Sequence, residues 1–157
     1  MMQENWPEVR AIYLEGIATG NATFESSAPE WEKWDAEHFR ECRLVARDDT
    51  NSEIAGWATL SPVSGRCVYR GVAEVSVYVT ERMRGRKIGQ KLLASLVEES
   101  EKHGIWTLQA GIFPENLPSI EIHKRCGFRI VGTREKLGKM NDRWRDVLLM
   151  ERRSSAF

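Results

Sequence analysis

The chain has no surplus of charge of either sign. Its 157 residues carry 23 Lys+Arg against 23 Asp+Glu. Nothing here resembles the broad basic field that holds a nucleic acid, so a polymeric anion is not the expected partner. Cysteine is scarce: Cys42, Cys67 and Cys126 are odd in number and show no C-x-x-C spacing. That argues against a disulfide framework or a metal site and for reduced thiols in a cytoplasmic protein. No apolar run approaches the length of a membrane span, and the opening MMQENWPEVR lacks the apolar core of a signal peptide. Repeats, low-complexity stretches and linkers are also missing, so residues 1–157 read as one domain around a single core.

What is present alternates between two periods. Trp6–Ala18 reads as a helix, with Pro7 in its first turn and Val9, Ile12, Tyr13 and Ile17 on one face. A polar loop follows, and Pro29 starts a second helix expected to reach about Glu41, with Trp31, Trp34 and Phe39 as apolar contacts. Cys42–Arg47, Ile54–Ser61, Val72–Val79 and Thr107–Ile112 read as strands. Between the last two, a helix from about Gly89 to His103 buries Leu92, Leu93, Leu96 and Val97, with Gly104 as its stop. Pro118–Arg125 reads as a short helix closed by Gly127. Phe128–Thr133 and Trp144–Glu151 read as a final strand pair around a polar loop. Strands alternating with helices and ending in a strand pair predict an α/β domain with a mixed sheet.

The most informative stretch is 72–93, VAEVSVYVTERMRGRKIGQKLL. A strand of β-formers carries one acid, Glu74, which alternation places on a face with Ser76 and Tyr78, opposite Val75, Val77 and Val79. The strand enters an Arg- and Gly-rich loop that opens into the amphipathic helix. Such a junction aims backbone N–H groups at one point, and the helix dipole adds positive potential there. Arg82, Arg84, Arg86 and Lys87 cluster around it, which points to a small phosphate-bearing ligand.

Two common phosphate motifs do not fit. Gly85 and Gly89 are followed by Gln90 and Lys91, so the GxxxxGK[ST] spacing and its magnesium-binding hydroxyl are both missing. A dinucleotide fold would need GxGxxG in the loop and an acid on the next strand, and the chain has neither.

The loop Arg84-Gly85-Arg86-Lys87-Ile88-Gly89 instead resembles the R/Q-x-x-G-x-G/A element of the GNAT acetyltransferase superfamily, with Lys87 where that family usually has glycine. Asn116-Leu117-Pro118-Ser119 followed by His123 and Cys126-Gly127-Phe128 resembles its N-x-x-[SA] … G-F element. Ala22-Thr23-Phe24-Glu25, Tyr69-Arg70 with the Val72–Val79 run, and Arg143-Trp144-Arg145-Asp146 narrow the resemblance to the phosphinothricin/methionine sulfoximine acetyltransferase branch. The match runs in order along nearly the whole chain. The family's first strand is largely missing, because Trp6 already lies near the first helix, and Gly71 stands where a larger residue bordering the acceptor pocket is usual.

The resemblance implies a GNAT fold: a mostly antiparallel twisted sheet, splayed between the family's fourth and fifth strands, with helices on both faces. It implies an acetyl-CoA-dependent N-acetyltransferase acting by direct transfer on the amine of a small amino-acid-like acceptor, such as phosphinothricin, methionine sulfoximine or methionine sulfone. Glu74 would be the general base, through water. His123 would donate a proton to the leaving thiolate, assist as base, or serve only as a structural histidine. Val77, Tyr78 and Val79 would hold the pantetheine arm, Arg84, Gly85, Arg86, Lys87, Ile88 and Gly89 the pyrophosphate, and Asn116 and Ser119 the arm farther along. The acceptor pocket would be built from Phe24, Glu25, Tyr69, Arg70, Val72, Ala73, Val75 and Trp144, with Arg70 meeting a carboxylate or phosphinate. No metal is implied. A homodimer is, with the Trp31/Trp34 stripe serving either that contact or the core. Two rivals stay open: acetylation of a protein N-terminus, a polyamine or an aminoglycoside, and a non-catalytic acyl-CoA-binding regulatory module.

Overall fold

Alternation and turn chemistry place the strands, and the apolar stripes of the helices dictate which faces they cover. The computed structural model describes residues 1–157. In chain order the elements are α1 (Trp6–Ala18), α2 (Trp31–Glu37), β1 (Arg43–Arg47), β2 (Ile54–Pro62), β3 (Val72–Val79), α3 (Ile88–Lys102), β4 (Thr107–Ile112), α4 (Leu117–Arg125), β5 (Arg129–Met140) and β6 (Arg143–Arg153). The strands form one six-stranded sheet in the order β1-β2-β3-β4-β6-β5. Every neighbouring pair is antiparallel except β3 with β4.

Each face has its own core. Leu92, Leu93, Leu96 and Val97 of α3 and Ile120 of α4 pack with Ala58, Leu60, Val75, Leu108 and Met150 of the sheet. On the other face Trp6, Val9 and Ile12 join Trp34 of α2 and Trp57 of β2. Period-two alternation on β2 sends Trp57 to one side and Ala58 and Leu60 to the other. Likewise Val77 packs on the α3/α4 side, while Tyr78 packs on the α1/α2 side.

The largest departures from the sequence expectation are in α2 and the closing strands. The helix expected over Pro29–Glu41 spans only Trp31–Glu37, and His38 is extended (φ −125°, ψ 146°). The buried Arg43 guanidinium donates to the carbonyls of Asp35 (2.8 Å), His38 (2.7 Å) and Phe39 (2.9 Å), which draws those carbonyls toward β1 instead of into another helical turn. The closing strands are longer than the expected Phe128–Thr133 and Trp144–Glu151. Asn141 (φ 48°) and Asp142 (φ 61°) form a two-residue hairpin turn that lets pairing run to Met140↔Arg143. At the start of the chain, a 3-10 turn over Gln3–Asn5 leads straight into α1. The Met1 amino group donates to Arg43 O (3.2 Å) on the edge strand β1.

Candidate functional site

The site is a gap in the sheet. β3 and β4 pair only over Val72↔Thr107, Ala73↔Leu108 and Glu74↔Gln109, and beyond that rung they part. On its other edge β3 stays paired to β2 as far as Val79↔Gly56. Thr80 N donates to Ala55 O (2.9 Å) in the same register. Hydrogen-bonded and non-bonded pairs alternate in an antiparallel ladder. Tyr78 and Ser76 therefore bond to β2, while the N–H and C=O groups of Val77 and Val79 turn toward the gap.

Below the gap the chain passes a 3-10 turn (Glu81–Met83) and enters α3 through a loop in which Gly85 (φ 79°) and Lys87 (φ 61°) are left-handed. Lys87 is the N-cap of α3 and gives the helix no side-chain cap. The first-turn amides of α3 have no intrahelical acceptor. Its left-handed φ explains why a glycine suits that position. The loop, the α3 N-terminus, Val77 to Val79 and the start of α4 enclose a cleft of about 690 Å³ with Arg84, Lys87 and Arg125 in its wall. An extended ligand with a phosphate group fits this donor set: free strand amides above, helix amides and cations below.

A second cavity, of about 350 Å³, opens on the same gap and shares Ala22, Val77, Tyr78, Asn116 and Ser119 with the cleft. Glu74 lies in its wall, and Gln109 Nε2 donates to Glu74 Oε2 at 2.8 Å. That bond fixes one carboxylate oxygen and leaves the other free of protein partners. His123 reaches the same cavity from α4, on the opposite side of the sheet from Trp57 and Tyr78. It is only 3% exposed. Its Nδ1 lies 2.7 Å from Ser119 O. A carbonyl can only accept, so Nδ1 carries the hydrogen and neutral His123 presents Nε2 as an acceptor. That Nε2 is buried without a partner. Burial pushes the His123 pKa down, partly opposed by the bond to Ser119, which favours the neutral ring.

A splayed parallel pair beside a phosphate-cradling helix start is a specific arrangement, and the comparisons agree with it. Residues 4–149 match the family described as "Acetyltransferase (GNAT) domain". The chain belongs to the GNAT acetyltransferase family. The L-methionine sulfoximine/L-methionine sulfone acetyltransferase of Pseudomonas paraeruginosa is 30% identical over 152 residues, 92% of this chain and 87% of that one. Among solved structures, a ribosomal-protein-alanine N-acetyltransferase from Brucella melitensis superposes with a TM-score of 0.87 at 29% identity, covering 98% of this chain and 97% of that chain. A phosphinothricin acetyltransferase from Sinorhizobium meliloti in complex with AcCoA gives a TM-score of 0.86 at 27% identity, covering 98% and 85%. This GNAT chain is thus an N-acetyltransferase by family.

The GNAT site gathers most of the residues singled out in the sequence. Glu74, Val75, Val77, Tyr78, Phe24, Glu25, Asn116, Ser119 and His123 line the 350 Å³ cavity, and Arg84, Gly85, Lys87, Ile88 and Gly89 the cleft. Arg86 is on the loop but outside the cleft wall. Asn116 has a structural task as well. It caps α4 by accepting from Ser119 N (3.3 Å), and its Nδ2 donates to Asn21 O (3.1 Å). Tyr69 and Arg70 are exposed around the 3-10 turn Cys67–Tyr69, outside the cavity. Val72 and Ala73 also lie outside it, Ala73 being fully buried in the core. Trp144 is 59% exposed, while Arg145, on the opposite face of the strand, turns inward. Arg145 bonds Gly20 O (2.9 Å) and Asn21 Oδ1 (3.0 Å) and lies over the Phe113 ring, and Asp146 accepts from Lys136 N.

Gly71 lies outside the cavity wall and has a packing reason of its own. A Cβ there would lie 2.1 Å from the Trp106 ring. Sequence reasoning missed Gln109, Arg134 and Leu137, all in the cavity wall of this acetyltransferase. Period-two alternation on β4 could have placed Gln109 beside Glu74, since it is the one amide in that strand; nothing local in the sequence marks the other two.

Proposed function

We propose that this GNAT enzyme transfers acetyl from acetyl-CoA to the α-amine of a small amino-acid-like acceptor, of the methionine sulfoximine, methionine sulfone or phosphinothricin type, with Glu74 as general base. The observation that carries this reading is the position of Glu74. It sits on the last rung that β3 shares with β4 and faces the cavity that adjoins the phosphate-cradling cleft. The names of the relatives support the acceptor class.

Acetylation of an amine meets two obstacles. At neutral pH an amine with a pKa near ~10 is about one part in a thousand free base. The thioester carbonyl also takes on negative charge as nitrogen attacks. Glu74 removes the first proton, directly or through one water, while Gln109 holds its other oxygen still. A main-chain N–H of Val77 or Val79 faces the growing oxyanion. Nitrogen then forms the amide bond and the C–S bond breaks. The second proton leaves nitrogen for Nε2 of His123 and passes from the imidazolium to the departing sulfur, which restores the neutral ring. Arg84, Lys87 and the first amides of α3 hold the pyrophosphate.

The reading includes a homodimer, for which exposed Val68, Tyr69 and Trp144 offer apolar surface, and a cytoplasmic setting, which three unpaired cysteines suit. No helix is long and apolar enough to cross a membrane. The test is release of free thiol from acetyl-CoA with phosphinothricin, methionine sulfoximine, methionine sulfone, a polyamine and an N-terminal peptide as acceptors. Turnover confined to the first three supports the acceptor class. Turnover confined to the polyamine or the peptide overturns it.

A further inference from the structure

Arg134 stands where β5 breaks its register. Arg134 pairs with Val147 and Gly138 with Arg145, so Glu135, Lys136 and Leu137 all face the single residue Asp146. Lys136 takes a left-handed φ of 48°, and its N–H donates to Asp146 Oδ1 at 2.8 Å. Gly138 lies against Phe24, whose ring would be 2.6 Å from any added Cβ, and Phe24 meets Phe113 edge-on at 4.8 Å. The bulge is therefore pinned on both sides. Bulges of this kind bend a strand and re-aim its side chains. Here Arg134 and Leu137 enter the wall of the acceptor cavity.

The charges in that wall are unbalanced in a useful way. Glu25 and Glu74 are its acids, His123 is buried and neutral, and Arg134 is its one permanent cation. Most arginines of the hairpin are engaged: Arg129 with Glu151, and Arg145 with Glu115, Gly20 and Asn21. Arg134 is an exposed residue whose side chain makes no hydrogen bond or ion pair with any protein group, while Glu135, its sequence neighbour, lies outside the cavity wall. An exposed, unpaired guanidinium at the cavity rim, on a strand whose bulge is pinned beside it, can offer its fork to two oxygens.

We infer that Arg134 binds the carboxylate of the acceptor and makes this enzyme select α-amino acids over simple amines. The inference rests on the reading of the acceptor as amino-acid-like and adds the residue that enforces it. With the carboxylate on Arg134 and the amine beside Glu74, both charged ends of the amino acid meet an opposite charge in one cavity. The acceptor side chain is left to the Glu25, Ser76 and Tyr78 side, where an adjoining chamber of about 230 Å³ is walled by Tyr13, Trp34 and Trp57.

The experiment measures kcat and KM for methionine sulfone, its carboxamide and its decarboxylated amine, on wild type, Arg134→Gln, Arg134→Lys and Lys139→Gln, an exposed site on the same hairpin. Calorimetry of methionine sulfone binding accompanies each. Wild type is expected to prefer the acid over both analogues by about 10–100-fold in kcat/KM, the range of a charge-assisted hydrogen-bonded contact. Arg134→Gln raises KM for the acid by about that factor, leaves the two analogues unchanged and so erases the preference. Arg134→Lys recovers part of it, and Lys139→Gln matches wild type. Arg134→Gln with unaltered KM and Kd for methionine sulfone overturns the inference. So does a wild type that uses acid, amide and amine equally, although the acetyltransferase reading then stands. A wild type that neither binds nor acetylates any of the three removes the amino-acid reading and this inference together.

Discussion

Gln109 donates to Glu74 across the last paired rung of β3 and β4 (2.8 Å), so the residue that holds the proposed base also marks where the sheet opens. Placement and chemistry are linked here. The same divergence that frees the main chain of Val77 and Val79 exposes the Glu74 carboxylate to the cavity. A carboxylate one residue earlier on β3 would point to the buried α3 face, and one two residues later would lack a rung to steady it.

Gln109→Leu tests that link. It keeps the size and removes the donor, leaving Glu74 free to turn. The expected outcome is a fall in kcat of about 10-fold, the worth of one hydrogen bond to a charged group, with KM for acetyl-CoA unchanged. Steady-state kinetics on a variant with a wild-type melting temperature reads it.

His123 makes stability depend on pH. Its pKa is lowered in the folded state, so in the window below about 6.5, its ordinary value, the unfolded chain binds more protons than the folded one. The stability that its neutral form contributes is complete above that value and is lost as pH falls toward and through the lower folded pKa. His38, also lowered mainly by burial, adds in the same direction. Melting temperatures between pH 7.5 and 5 should fall for wild type and fall less steeply for His123→Gln. Activity should persist on the acid side of 6.5, because Nε2 stays unprotonated there.

Lys87 occupies a left-handed N-cap position where a side chain carries a cost. Lys87→Gly should stabilise the fold by about 1 kcal/mol, seen as a higher melting temperature. It should also raise KM for acetyl-CoA severalfold by removing a cation from the cleft wall. Stability and affinity moving in opposite directions separates strain from ligand charge.

Gly71→Ala should destabilise by about 1–3 kcal/mol, the usual cost of overpacking, because the new Cβ meets the Trp106 ring. Adding Trp106→Leu should recover much of the loss. Acceptor preference should not change in either variant, since Gly71 answers to Trp106 and lies outside the cavity wall.

Much of the fold was legible where one short segment contains the whole signal. Val72–Val79 and Thr107–Ile112 match the sequence reading residue for residue, and the α3 stripe is buried as its periodicity demands. Elements whose ends depend on distant partners were not. Arg134–Met140 has little β-branched character and becomes strand by pairing with β6 beyond a bulge and a two-residue turn. Residue parity along β6, counted from its pairing, turns Arg145 inward and Trp144 outward, and no local pattern shows that. The same holds for the site. Glu74, His123 and the loop into α3 were visible as motifs, whereas Gln109 enters through a parallel register 35 residues away and Arg134 through a bulge.

The most direct test of the central claim is a single-turnover measurement of acetyl transfer to methionine sulfone by wild type and Glu74→Gln, each saturated with acetyl-CoA, with acetyl-CoA affinity measured by calorimetry on the same samples. The account predicts a rate lower by about 10²–10⁴ in the variant with unchanged affinity for acetyl-CoA. An equal rate in the two proteins at matched affinity would contradict it and take the base away from Glu74.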